Sequence, residues 1–217
     1  MRSKMSVKHM VLLAMLAAIA YMMVSLIRIP VVLFLSYEPK DVIITIGGFL
    51  LGPMASFIVS LVVSLLEMVT ISSTGPIGCL MNLLSTCAFA CTAGFVYKKK
   101  HTMSGAIVGL ALGSVTMVTT MLLWNWLITP LYMTGTSRAD VAAMLLPVFL
   151  PFNMLKAGLN SGFILLLYKP IVSALRKTGL IPAPSKSAAS SKLGVYIFSG
   201  ILLLACILSI LVFQGKL

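Results

Sequence analysis

Residues 147–160, PVFLPFNMLKAGLN, set a lysine and two asparagines inside a run that is otherwise apolar enough for a bilayer. Coiled as a helix, the run places Asn153, Lys156 and Asn160 on one stripe, with Phe152, Met154, Leu155 and Leu159 covering the other faces. A lysine at membrane depth costs roughly 2.5–3.5 kcal/mol on insertion scales, so it normally faces a cavity or a polar partner. The other reading is a lysine snorkelling from a helix end, but the apolar run continues to Tyr168, well past Lys156. Pro147 and Pro151 each remove a backbone donor and disfavour helix in the residue before them. A bent or late helix start, with carbonyls released near the polar seam, is the expectation.

The rest of the chain is equally membrane-like. Of its 217 residues 60% are hydrophobic and 9% charged, and the mean hydropathy is +1.11. Soluble domains carry about a quarter charged residues. A hydrocarbon core needs about 20 apolar residues per helix, and runs of that kind recur. They occupy residues 9–29, 41–71, 78–97, 103–129, 141–175 and 194–213. The second is too long for one span and is interrupted by Gly52-Pro53, which splits it into 41–51 and 53–71. The 41–51 piece is short for a crossing, so it tilts, is shielded by neighbours, or takes flanking residues with it. Residues 30–40 read as a loop. The first run follows three basic residues, like a signal peptide, but lacks a convincing small-residue cleavage site and is kept as a span. The expected fold is an all-α integral membrane protein. Residues 1–175 form a six-helix substrate-binding domain, 176–193 a basic Ser/Pro/Ala linker, and 194–217 an appended hydrophobic helix.

Sixteen basic residues against four acidic ones give a net charge of +12. The bases gather in short segments at span ends, which is orientation charge rather than a nucleic-acid surface. If every span crosses, Lys8, Lys98, Lys99, Lys100, Arg176 and Lys177 fall on one side, cytoplasmic by the positive-inside rule, and the N-terminus lies there too. Arg28, Tyr37, Glu38, Lys40, Asp41, Glu67, Thr74, Asn82, Trp124, Asn125, Asp140, Asn153 and Lys156 then lie toward the outer side, and all four acids are among them. That asymmetry predicts a pocket opening outward.

Catalytic motifs are missing. The sequence has no phosphate loop, HExxH, GxSxG or spaced metal-ligand set, and its four cysteines sit in apolar runs as small filler. His9 and His101 fall at span ends, as interfacial residues. A binding site is therefore expected, with no metal and no cofactor, and no enzyme. Asn125, Asn153 and Lys156 can together hold the carbonyl and imide edge of a flat heterocycle. Trp124, Trp126, Phe34, Phe152, Tyr37 and methionines can enclose its faces. Asp41, Glu67 and Thr74 can bond hydroxyls, and Asn82 joins the same polar set. Two alternatives stay open: Trp124 or Trp126 as interfacial belt, and Asp41 as a cap on the second helix. In the first span Ala14 and Ala18 make a small face, either packed internally or presented to a partner, while Gly48/Gly52, Gly105/Gly109/Gly113 and Gly158/Gly162 read as internal packing.

Five segments carry a resemblance: the Ala14/Ala18 face, SYEPKDVIITIGGFLLGP (36–53), STGPIGCLMN (73–82), WNWLITPLY (124–132) and PFNMLKAGLN (151–160). In these the chain resembles the substrate-binding S components of energy-coupling factor (ECF) vitamin transporters, riboflavin branch. The resemblance implies a six-helix membrane subunit that binds riboflavin from outside with high affinity, in the plasma membrane, without catalysis of its own. It also implies docking of Ala14 and Ala18 on a transmembrane coupling subunit driven by two cytoplasmic ATPases, and flavin contacts by Asn125, Asn153 and Lys156. An S component for another vitamin or heterocycle is the nearest alternative. A small intramembrane enzyme built on Glu67, Asp41 and Lys156 is a more distant one. The run at 194–213 departs from the family pattern and bears on docking geometry.

Overall fold

Gly52 takes a φ of 95°, which a side chain would resist, and Pro53 opens the next helix where its missing N–H is no loss. The long apolar run is thereby cut into two helices. A computed structural model describes residues 7–72, 74–133, 135–177 and 192–214. The order is α1 (Val7–Leu26), β1 (Ile29–Val32), β2 (Leu35–Tyr37), α2 (Lys40–Leu51), α3 (Pro53–Thr70), α4 (Gly75–Lys99), α5 (Met103–Tyr132) and α6 (Arg138–Met144). One π-helical turn (Leu145–Phe149), α7 (Leu150–Lys177) and α8 (Lys192–Phe213) follow.

Among the described residues, six helical stretches are long and apolar enough to cross a membrane: α1, α3, α4, α5, the run from α6 into α7, and α8. This is a multi-pass membrane protein. The short α2 is about 18 Å long at 1.5 Å per residue. It stays inside the bundle, with nine of its twelve residues buried among α1, α3, α4 and α7. Of the three options for this piece, shielding by neighbours is the one observed.

The segment read as a loop differs. Residues 29–37 form an antiparallel hairpin in which Ile29 lies opposite Tyr37, and Leu33 turns the corner with a φ of 51°. The strands are four and three residues long and the first contains Pro30, too little for a period-two pattern to stand out. Helix then resumes at Lys40, one residue before the expected start at Asp41, so that Lys40 opens α2 instead of closing the loop.

Small residues set the closest helix contacts. A Cβ on Gly113 would lie 2.7 Å from the Phe89 carbonyl and one on Gly109 2.8 Å from that of Ala93, so α4 and α5 meet almost backbone to backbone. Gly158 and Gly162 do the same for α8, where a Cβ would come within 2.8 Å of Cys206 Sγ and of Leu203. Further along, Lys169 stands 5.9 Å over the Tyr196 ring. The appended helix therefore lies antiparallel along α7, through the same depth. It leaves the Ala14/Ala18 face alone, and both alanines are exposed on α1. The linker at 176–193 is helical at its edges, with 176–177 in α7 and 192–193 in α8. Its middle, 178–191, lies outside the described residues.

Candidate binding site

The regular α-helical path into α7 is interrupted around Pro147, as the prolines predict, by the π-helical turn at Leu145–Phe149. Asn153 donates its side-chain amide to the Phe149 carbonyl at 2.7 Å, and on α5 Asn125 does likewise to Met121 at 2.7 Å. Asn125 Oδ1 also accepts from Thr129 at 3.0 Å. Next along the seam, Lys156 Nζ lies 3.2 Å from Asp41 Oδ2 and 3.5 Å from Ser85 Oγ. Asp41 is fully buried, accepts from Thr86 at 2.7 Å and is approached by Asn160 at 3.4 Å. The polar partner that Lys156 requires is thus a carboxylate at the start of α2. That carboxylate makes no capping hydrogen bond, so the capping alternative for Asp41 is not what the helix shows.

A second group of charges lies beside the first. Lys40, 1% exposed, bonds both oxygens of Glu67 at 2.5 Å and stands 2.8 Å from Glu38. Arg28 reaches Glu38 from the other side at 3.1 Å, and Asn82 donates to Glu67 at 2.9 Å. Three cations meet three carboxylates across the two groups.

These groups surround a cavity of about 50 Å³. Of the predicted residues, Asn125, Asn153, Lys156, Thr74 and Asn82 line it. Asp41 and Glu67 do not; they stand behind Lys156 and Asn82 and hold them. Tyr37 is absent from the wall as well. Ser36 in the strand and Glu38 just past it line the cavity, whereas Tyr37 lies in an apolar cluster with α7 and α8. Burial there pushes its phenol above the ordinary range, so it stays protonated. Phe34 and Phe152 supply aromatic wall, whereas Trp124 packs into the core and Trp126 is exposed, leaving neither tryptophan on the cavity. Sequence reasoning missed Ser85, and it missed Lys40 as a buried clamp on Glu38 and Glu67. Ser85 lies three residues after Asn82 on α4, a spacing that held the signal.

The fold agrees with known proteins. The family model for "ECF transporter, substrate-specific component" matches residues 8–168. The chain belongs to this family. As an S component it is a transporter subunit and not an enzyme, and it has no cofactor of its own. It is similar to the "Riboflavin transporter RibU" of Staphylococcus aureus (strain TCH60), 29% identical over 178 residues, covering 78% of this chain and 93% of the relative. It is also similar to the "Riboflavin transporter FmnP" of Bacillus subtilis (strain 168), 28% identical over 163 residues, with 70% and 85% covered. A solved structure described as "Structure and mechanism of the S component of a bacterial ECF transporter" superposes with a TM-score of 0.63 at 30% identity. It covers 77% of this S component and 96% of the solved chain. The six-helix S-component bundle carries a seventh helix here, and the family match stops before it.

Proposed function

We propose that this S component binds riboflavin with high affinity from the outer side of the plasma membrane and is the specificity subunit of an ATP-driven ECF transporter. The observation that carries the reading is the convergence of Asn125, Asn153 and Lys156 on one cavity. Two amides and an ammonium there match the alternating carbonyl and imide groups of a flavin edge. The names of both relatives support it. Thr74, Asn82 and Ser36 are left for the ligand's hydroxyls.

The basic end of the bundle, with Lys98, Lys99 and Lys100, faces the cytoplasm together with the N-terminus. There the exposed Ala14 and Ala18 let the transmembrane coupling subunit approach α1 closely, and two cytoplasmic ATPases drive that subunit. Around them the exposed apolar side chains of the bundle face membrane lipid.

Titrating the purified protein with riboflavin while following flavin and tryptophan fluorescence tests the ligand. Saturable quenching at submicromolar riboflavin, lost in Asn153→Ala, is the expected result. A folded wild type that leaves riboflavin fluorescence unchanged sinks the assignment and favours an S component for another neutral heterocycle.

A further inference from the structure

The cavity is closed by the hairpin β1–β2, and the far side of that hairpin is held by the helix the family match leaves out. Phe34, Ser36 and Glu38 look onto the cavity. Val31 and Tyr37 share an apolar cluster with Cys206 and Ile210 of α8. Just past the end of α8, Gln214 Nε2 donates to the Pro30 carbonyl at 2.7 Å. The other end of α8 is anchored too, Val195 packing on the core that contains Tyr97. Strands this short do not hold themselves together, since an isolated two-stranded hairpin is marginal at best.

The free volume of about 50 Å³ is far below the roughly 300 Å³ at which sites for drug-sized ligands begin. A ligand of vitamin size is therefore admitted only when a wall element yields. The hairpin is the wall element with the shortest stretches of secondary structure, and α8 braces its far side together with α7.

We propose that α8 is a strut that holds the hairpin down over the cavity, with Gln214 as its positioning residue, so that this helix sets the rate of ligand exchange. The ligand half of this rests on the riboflavin reading above; the hairpin half does not.

The full-length protein in nanodiscs tests both halves. Hydrogen–deuterium exchange is followed at residues 29–37 without ligand, and riboflavin release is timed separately. Loss of one hydrogen bond in Gln214→Ala is expected to speed hairpin exchange about fivefold, with α4 unchanged. Gln214→Lys, which keeps a donor at similar reach, restores the slow exchange. Ile210→Ala, which trims packing and leaves the hydrogen bond, speeds it as well. Release of riboflavin quickens by a similar factor in Gln214→Ala, because interface changes act mainly on dissociation rates. Unchanged hairpin exchange in both Gln214→Ala and Ile210→Ala overturns the strut. Faster hairpin exchange with unchanged release overturns its control of the ligand. A wild type that does not bind riboflavin sinks only the assignment above, and the hairpin exchange still decides the strut.

Discussion

Removing Lys156 tests whether its partner is the buried Asp41 or the ligand alone. Asp41 is fully buried, and of its contacts only Lys156, at 3.2 Å, neutralises it directly on the α7 side. Thr86 and Asn160 bring hydrogen bonds but no charge. Taking one partner from a buried ion pair typically costs about 3–5 kcal/mol, because the other charge is left uncompensated. For a chain of this size that corresponds to a melting point lower by about 6–20 °C. Lys156→Met and Asp41→Leu are each expected to fall in that range. The double variant has no stranded charge and should melt within about 2 kcal/mol of wild type, the remainder reflecting what Thr86 and Asn160 lose. Thermal unfolding of the detergent-purified protein, read by intrinsic fluorescence, measures all four members of the cycle. Additive losses, with the double variant the least stable, would refute the pairing. The same double variant separates two explanations of lost binding: if it is stable and still fails to bind riboflavin, Lys156 acts on the ligand as well as on Asp41.

Three further outcomes follow from the geometry. Lys40→Met leaves Glu67 without a cation and Glu38 with Arg28 alone, and should lower stability by about 3–5 kcal/mol, whereas Lys40→Met/Glu67→Gln recovers part of it; thermal melts of the two decide. Asn125→Ala should leave the fold within about 1.5 kcal/mol of wild type yet weaken riboflavin binding about tenfold or more, and a titration showing unchanged affinity would remove this residue from the site. Gly113→Val drives a side chain toward the Phe89 carbonyl, 2.7 Å from the new Cβ. It should cost about 1–3 kcal/mol through separation of α4 and α5, visible as a lower melting temperature.

How much of this was legible in the sequence depends on the distance over which each signal acts. The stripe of Asn153, Lys156 and Asn160 is a one-helix pattern, and a period of 3.6 is enough to find it. The break at Gly52-Pro53 and the π-helical turn around Pro147 are equally local, since glycine and proline act on their own backbone. The small-residue spacings at Gly109/Gly113 and Gly158/Gly162 correctly announced internal contacts, though which helix meets which was not written in them. Partnerships are another matter. Lys156 and Asp41 are neighbours only because α2 is threaded into the bundle beside α7, and a carboxylate counted among the ligand contacts turned out to be engaged by protein. Lys40 read as a loop charge because the helix start could not be placed to one residue, and one residue decides whether it is exposed or buried. The hairpin was missed because its strands are too short for periodicity, and with it the apolar cluster that takes Tyr37 off the cavity wall.

The pairing of three cations with three carboxylates inside the bundle has an electrical meaning. A single uncompensated charge moved across a membrane couples to the potential by about 2.3 kcal/mol per 100 mV. With Arg28, Lys40 and Lys156 set against Glu38, Asp41 and Glu67, the cluster carries no formal net charge. Shifting the cluster as a whole along the membrane normal therefore does no net electrical work on it, and a neutral ligand does not alter that balance. The membrane voltage exerts no net force on this cluster, with a neutral ligand bound or without it.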